Sequence, residues 1–123
     1  MSFDVSTNAP QPGTVIVRFT GQFDFSHVAT ARTAINQRIE QGAKLIIVNL
    51  DGLEYIDSAG LGMVATCAGI MFKAAGKLVV VSPGGRITQM FEITRLNRVI
   101  DLYPDFNAAC AALTPASTAS SGA

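Results

Sequence analysis

Two nearly continuous apolar runs constrain the fold of this chain more than any other feature: KLIIVNL at 44–50 and KLVVV at 77–81. Unbroken apolar runs of this length are typical of strands that are covered on both faces, as the strands of a parallel sheet are. Parallel neighbours need a crossover between them, usually a helix, and that crossover is right-handed. The two runs therefore predict an α/β sheet with helices packed on it.

Helical and strand patterns flank these runs. Residues 24–41 place apolar side chains about one helical turn apart and are followed by Gly42, a natural helix stop. The segment 51–76 predicts a loop and then a helix over about 58–75 that Gly76 closes.

An N-terminal hairpin is predicted before the first helix. TVIVRFT at 14–20 alternates apolar and polar residues, which predicts a strand with one buried face. FDVST at 3–7 predicts a shorter partner strand, because the APQPG between the two is rich in turn formers.

The remaining segments complete the order β-β-α-β-α-β-α-β-α. After a turn at 82–85, a helix, a strand and a last helix are predicted at 86–94, 98–103 and 104–113. We therefore expect one α/β domain over 1–113, with a small mixed β-sheet and about four helices packed on it. The remaining residues, TPASTASSGA at 114–123, are small and polar and predict a disordered tail.

Composition excludes several classes of function. Nine Lys and Arg balance nine Asp and Glu, so no global basic field is available to hold nucleic acid or an anionic membrane. Cys67 and Cys110 are predicted to be buried reduced thiols, because nothing around them resembles a disulfide framework or a metal site. The first residues lack the pattern of a signal peptide, and the longest apolar stretch is too short to cross a bilayer. We expect a cytoplasmic protein that needs no metal and no cofactor.

The stretch YIDSAGLG at 55–62 puts Ser58 at a predicted helix start, and three interpretations are open. Ser58, or Asp57 before it, is a helix N-cap. As a nucleophile, Ser58 lacks the first glycine of a nucleophile elbow, since Ile56 stands there, and it would need the only histidine, His27, from a much earlier helix. As a modification site, Ser58 would carry a phosphate, which the positive end of a helix dipole tolerates.

A nucleotide-binding interpretation of the same turn is weaker. GLGMVA at 60–65 fits the pattern G-x-G-x-x-A, but the predicted loop separates its glycines from the strand before them. No acidic residue ends the next strand. Helix entry with close backbone packing explains Gly60 and Gly62 equally well.

An acidic surface with apolar neighbours is predicted around the serine. Asp51, Glu54 and Asp57 lie within seven residues and no basic residue lies among them. The strands that end near 21 and 50 would bring the turns that follow them to the same edge of the sheet. We hypothesise that one partner-facing surface is formed by Asp24, Ile56, Asp57, Ser58 and Leu61.

The sequence also resembles a known family. GQFD at 21–24, LIIVNLDGLEYIDSAGLGMV at 45–64 and KLVVVSPGGRITQMFEITRLNRVIDLYPD at 77–105 are similar to the anti-sigma factor antagonists, the single-domain members of the STAS family. The similarity covers about 3–113. It implies that the fold is a STAS domain.

This resemblance implies a mechanism. In the family, the serine at the position of Ser58 is phosphorylated by a partner that is both an ATP-dependent serine kinase and an anti-sigma factor. The unphosphorylated antagonist binds that partner and frees the sigma factor, and a PP2C-type serine phosphatase resets the phosphorylated form. Asp24 and the turn from Ile56 through Gly60 to Leu61 match positions of partner contact. The protein would be a ligand and a substrate, not an enzyme.

Three residues depart from the family pattern. Asn49 stands where many relatives carry an aspartate, Ala59 replaces a frequent second serine, and Phe23 occupies a position that is usually aliphatic. Ala59 leaves Ser58 as the only hydroxyl of the turn. The alternative function is a STAS module that scaffolds another signalling or transport complex without being a kinase substrate.

Overall fold

The computed structural model describes residues 2–113, which form a five-stranded mixed sheet with helices on both faces. The strands are β1 (Phe3–Gln11), β2 (Thr14–Phe23), β3 (Leu45–Ile56), β4 (Lys77–Val81) and β5 (Leu102–Tyr103). The helices are α1 (Val28–Glu40), α2 (Ser58–Lys73), α3 (Gly85–Ile93) and α4 (Phe106–Leu113), with 3-10 turns at Phe25–His27 and Leu96–Arg98. The predicted α/β class and element order are confirmed.

Neighbouring strands in the sheet follow the order of the chain. β1 is antiparallel to β2, while β2, β3, β4 and β5 run parallel to one another. The helices α1, α2 and α3 pack over the larger core on one face, and α4 packs on the other face against β4 and β5. This topology collects the carboxyl ends of the parallel strands, and the turns that follow them, at one edge of the sheet.

The two apolar runs form the centre of the molecule, as their pattern predicts. Ile46 and Val48 of β3 lie in the larger core, whereas Ile47 lies in the smaller core with Val79 and Val81 of β4. Both faces of these strands are therefore covered. Full burial of one such side chain contributes about 1.5–3 kcal/mol, so these two strands stabilise the layers on either side of them.

The strand β3 is longer than predicted, and the predicted loop over 51–56 is wrong. β3 continues to Ile56 because β2 also continues, to Phe23, and offers hydrogen-bonding groups along its length. Phe23 pairs with Ile56 at the end of a parallel register that contains two irregularities. Asp57 alone separates β3 from α2.

The N-terminal hairpin and the first helix also have different bounds. β1 extends to Gln11, so the turn of the hairpin is Pro12 and Gly13 rather than the whole APQPG segment. The helix predicted over 24–41 divides into the 3-10 turn at Phe25–His27 and the helix α1. This division matters because it leaves a short, separate turn after β2.

The C-terminal third differs at one element. The strand predicted over 98–103 shrinks to the two residues of β5, because Arg95 adopts a left-handed conformation and the 3-10 turn at Leu96–Arg98 follows it. α3 matches the predicted helix closely, and α4 begins at Phe106 rather than at Pro104.

Three further expectations concern thiols, the tail and membranes. Cys67 is buried as predicted, and burial raises the pKa of its thiol, whereas Cys110 is only half-buried. The tail predicted over 114–123 lies outside the described residues. None of the helices between residues 2 and 113 has the length and apolar character that a membrane crossing requires.

Gly21→Ala is expected to destabilise the protein more than Gly42→Ala. Both glycines have a positive φ, +91° and +94°, so an alanine at either position costs about 1–2 kcal/mol of strain. At Gly21 the added Cβ would lie 2.1 Å from the carbonyl oxygen of Ser2, which accepts a hydrogen bond from the N–H of Gln22. At Gly42 it would meet nothing within 4 Å. Urea unfolding should show a further loss of about 1 kcal/mol at Gly21; equal losses would contradict this packing.

Candidate functional site

The junction between β3 and α2 is built around the side chain of Asp57. Asp57 has an extended backbone, with φ −102° and ψ −178°, and its Oδ1 accepts a hydrogen bond of 2.9 Å from the N–H of Gly60. This is the geometry of a helix N-cap. Of the two predicted candidates for the cap, Asp57 is confirmed, and Ser58 is the first residue of the helix.

The same carboxylate also holds the turn that follows β2. Its Oδ2 accepts a hydrogen bond of 3.0 Å from the N–H of Phe25, while the N–H of Asp57 donates to the carbonyl oxygen of Phe23 over 3.1 Å. The prediction that the two turns lie at the same edge of the sheet is confirmed. One carboxylate therefore links the end of β2, the end of β3 and the start of α2.

Asp24 lies in that neighbouring turn and organises it. Its Oδ1 accepts hydrogen bonds from the backbone N–H and the hydroxyl of Ser26, and it lies 3.1 Å from Nδ1 of His27, within ion-pair range but without hydrogen-bond alignment. The hydrogen bond from the Ser26 hydroxyl is the main cause that lowers the pKa of the Asp24 carboxyl. Asp24 is therefore a carboxylate at neutral pH, and it caps the 3-10 turn that follows β2.

Ser58 is exposed, and its hydroxyl makes no hydrogen bond with any residue that the structure describes. Because Asp57 supplies the cap, the hydroxyl of Ser58 is not needed by the fold. It lies beside a helix N-terminus, where a negatively charged group is electrostatically favoured. The side chain can therefore be modified without unmaking a structural contact.

The apolar residues assigned to the partner-facing surface are in the core instead. Ile56 is 3% exposed and Leu61 is 2% exposed, so the prediction that their side chains face a partner is wrong. Gly60 is buried too. A Cβ added to it would lie 2.9 Å from Ile56 Cγ1 and 3.1 Å from Phe23 Cδ2, so these two side chains pack directly against the glycine. These residues support the junction from beneath.

Close packing explains only one of the two glycines in the first turns of α2. It is confirmed at Gly60, but at Gly62 an added Cβ would meet nothing within 4 Å, so that part of the explanation is wrong. The glycines also follow β3 more closely than predicted, since the intervening loop is absent. This shorter connection does not support nucleotide binding, because Ile56 and Phe23 fill the space beside Gly60 that a phosphate would need.

Sequence reasoning missed Phe25, an exposed apolar residue at this edge. Its side chain is 75% exposed, although its N–H is bonded to Asp57. The available signal was an aromatic residue directly after Asp24, but it was assigned to the first turn of an amphipathic helix. We call the group formed by the exposed residues Phe25 and Ser58 and the half-buried residues Asp24 and Asp57 the junction surface.

The predicted run of acidic charge does not form one patch. Asp51 pairs with Arg18 of β2 at 2.9 Å, and both side chains are about half exposed. Since β3 is extended, Asp51 lies about 20 Å from Asp57 along the strand, and Glu54 about half as far. The negative charge in the junction surface is therefore that of Asp24 and Asp57.

The structure also accounts for the residues that depart from the family pattern. Phe23 is fully buried and stacks against Phe3 with ring centroids 5.0 Å apart, so it forms part of the packing below Gly60. Asn49 accepts a hydrogen bond of 3.0 Å from the N–H of Asp51 at a register irregularity of β3. Ala59 is half-buried and carries no hydroxyl.

The nucleophilic interpretation of Ser58, which would need His27, is not supported by the position of that histidine. The ring of His27 stacks on Phe3, with centroids 4.8 Å apart, and its Nδ1 lies 3.1 Å from Asp24 Oδ1. Within residues 2–113, no group of three or more His, Cys, Asp or Glu side chains is arranged to hold a metal ion.

Comparison with known proteins connects this geometry to a family. A family model described as STAS domain matches residues 7–109. The anti-sigma F factor antagonist of Lysinibacillus sphaericus is 31% identical over 84 residues, which cover 68% of this chain and 72% of that protein. The anti-sigma-B factor antagonist of Bacillus subtilis is 31% identical over 86 residues, covering 70% and 78%.

Solved structures agree on the fold. An anti-sigma factor antagonist from Mycobacterium paratuberculosis superposes with a TM-score of 0.83 at 22% identity, covering 91% of this chain and 94% of that one. The unphosphorylated form of the anti-sigma factor antagonist SpoIIAA gives a TM-score of 0.75 at 24% identity, covering 89% and 96%. The phosphorylated form gives 0.70 at 24% identity, covering 89% and 99%.

Asp57→Ala should cost about 1–2 kcal/mol of folding free energy, because the cap of α2 and the acceptor for Phe25 are both lost. Ser58→Ala should change stability by less than about 0.5 kcal/mol, since the hydroxyl is unbonded and alanine favours a helix. Asp57→Asn, which keeps one carbonyl acceptor, should fall between them. Urea unfolding measures all three; a loss for Ser58→Ala equal to that for Asp57→Ala would show that the serine is the cap.

Gly60→Ala and Gly62→Ala should have opposite effects on stability. The methyl group at Gly60 would push against Ile56 and Phe23, at an expected cost of about 1–3 kcal/mol. At Gly62 the same change fills open space in a helix and should stabilise by about 0.5–1 kcal/mol. Thermal unfolding of the two variants checks this, and a stabilising Gly60→Ala would refute the packing described for this turn.

Proposed function

This chain belongs to the STAS-domain family of anti-sigma factor antagonists, and from that premise we propose that it is itself an anti-sigma factor antagonist switched by phosphorylation of Ser58. The observation that carries the proposal is the exposed Ser58 hydroxyl. It makes no hydrogen bond with the described residues, and it lies at the first position of a helix that the neighbouring Asp57 caps.

The partner that we propose is an anti-sigma factor that is also an ATP-dependent serine kinase. The unphosphorylated chain binds it through the junction surface and so frees a sigma factor. A PP2C-type serine phosphatase resets the phosphorylated form. The relatives support this because they are named as antagonists of anti-sigma factors, and the structural neighbour SpoIIAA has been solved in a phosphorylated form. The circuit would operate in the cytoplasm, where ATP is available to the kinase.

A phosphate on Ser58 is compatible with the free protein. It adds about 1.5–2 negative charges, but the N-terminus of α2 favours negative charge by about 0.3–1 kcal/mol. The cap is unaffected, since it belongs to Asp57. We therefore expect the phosphorylated chain to remain folded.

The same phosphate opposes the complex. A partner that fits the unphosphorylated junction surface leaves no space for the phosphate or for the water that solvates it. In addition, closure of the interface would exclude the water that screens the phosphate from Asp24 and Asp57. A carboxylate about 4 Å away repels each unit of added charge by about 4 kcal/mol at an effective dielectric of about 20. That energy corresponds to about a thousandfold in affinity. Phosphorylation would thus act on binding rather than on folding.

Incubation with purified anti-sigma factor serine kinases of the source organism, Mg²⁺ and ATP should place one phosphate on Ser58, located by mass spectrometry. Calorimetric titration of both forms should show affinity reduced by about 10²–10³-fold after phosphorylation. Ser58→Ala should bind persistently in the presence of ATP. Ser58→Asp should be only partly released, because one carboxylate carries less charge than a phosphate.

The matched control is Thr66→Ala, which removes an exposed hydroxyl two turns further along α2. This variant should be phosphorylated and released like the wild type. Absence of phosphate on Ser58, or equal affinity of the two forms, would contradict the switch. Binding to an anti-sigma factor without any phosphate transfer would instead favour the scaffolding alternative.

A further inference from the structure

Phe25 is an aromatic side chain that the fold leaves in solvent. It is 75% exposed, although Phe19 and Phe23, the two aromatic residues that precede it in β2, are fully buried. Those two rings and Phe3 pack against one another with centroids 5.0–5.6 Å apart, and Phe25 stacks on none of the rings in residues 2–113. Exposure of this side chain forgoes the stabilisation that its burial would supply.

The backbone that carries Phe25 is nevertheless held firmly. Its N–H donates to Asp57 Oδ2 over 3.0 Å, and the residues on either side form the capped 3-10 turn in which Ser26 donates to Asp24. An aromatic side chain on such a turn loses little conformational entropy when it is bound, because only two side-chain torsions remain to be ordered. Phe25 is therefore presented in a position suited to binding.

Negative charge flanks this exposed ring. Asp24 and Asp57 each lie next to Phe25, one by sequence and the other by a direct hydrogen bond. The N–H and the hydroxyl of Ser26 both donate to Oδ1 of Asp24. No residue between 2 and 113 donates a hydrogen bond to its Oδ2, which is left for a cation. The complementary surface is an apolar pocket with lysine or arginine side chains at its rim.

We propose that Phe25 is the apolar anchor of the junction surface, entering an apolar pocket of the anti-sigma factor whose basic rim faces Asp24 and Asp57. This rests on the proposed function, since the anti-sigma factor is the occupant. Phe25 is bonded to Asp57, the residue directly before Ser58, so the anchor and the phosphorylation site belong to one interface. Phe25 supplies apolar contact area, and phosphorylation of Ser58 prevents the surfaces from closing.

The chain contains a matched control for this residue. Phe72 is 81% exposed and lies near the C-terminal end of α2, 14 residues after Ser58 and thus about 21 Å along the helix. It is equal to Phe25 in side-chain chemistry and similar in exposure. It differs in having no place in the junction surface.

Titration of Phe25→Ala and Phe72→Ala against the anti-sigma factor kinases described above should show different affinities for the two variants. Phe25→Ala should weaken binding by about 10- to 100-fold, and Phe72→Ala by less than about twofold. Both variants should unfold within about 2 °C of the wild type, because neither side chain is packed. Wild-type binding should also weaken as salt is raised, as a basic rim requires.

Photo-crosslinking gives a readout that does not depend on affinity. A benzophenone side chain introduced as Phe25→p-benzoylphenylalanine should capture the anti-sigma factor, whereas the same side chain at Phe72 should not. Wild-type affinity of Phe25→Ala, capture only from Phe72, or binding that strengthens with salt would overturn the proposal and leave the proposed function intact. If the wild-type chain binds none of the kinases, the proposed function falls, and this assignment of the occupant falls with it.

Discussion

The parallel pairing of β2 with β3 is the interaction on which the rest of this structure depends. Its hydrogen bonds run from Thr14 and Leu45 to Phe23 and Ile56, so both strands end at the same level of the sheet. The turn after β2 and the start of α2 are neighbours only because of this register. A shorter pairing would separate Asp24 from Ser58 and would leave no junction surface.

At the end of that pairing, Asp57 performs three structural tasks with one side chain and its backbone N–H. It accepts from Gly60, accepts from Phe25 and donates to the carbonyl oxygen of Phe23. Because these groups are satisfied by Asp57, the adjacent Ser58 keeps a hydroxyl without a structural role. A residue that changes its charge can then act on binding while the helix start remains as it is.

The stretch IDSAGLG therefore combines buried residues that shape the junction with residues that remain at the surface. Ile56 and Leu61 fill the core, and Gly60 allows the helix to approach Phe23 and Ile56 closely. Asp57 and Ser58 remain at the surface. The apolar residues of this motif shape the junction by packing in the core. They are therefore not available for contact with a partner.

The sequence by itself determined the order of the elements, the bounds of β4, the helix start at Ser58 and the candidacy of Asp57 as its cap, because periodicity and capping are properties of neighbouring residues. Only the tertiary structure decided the length of β3, the burial of Ile56 and the exposure of Phe25. A segment of mixed polarity such as 51–56 becomes a strand when another strand pairs with it, and a side chain is buried only if another element covers it. Those conditions depend on residues distant in the chain, so no local pattern contains them.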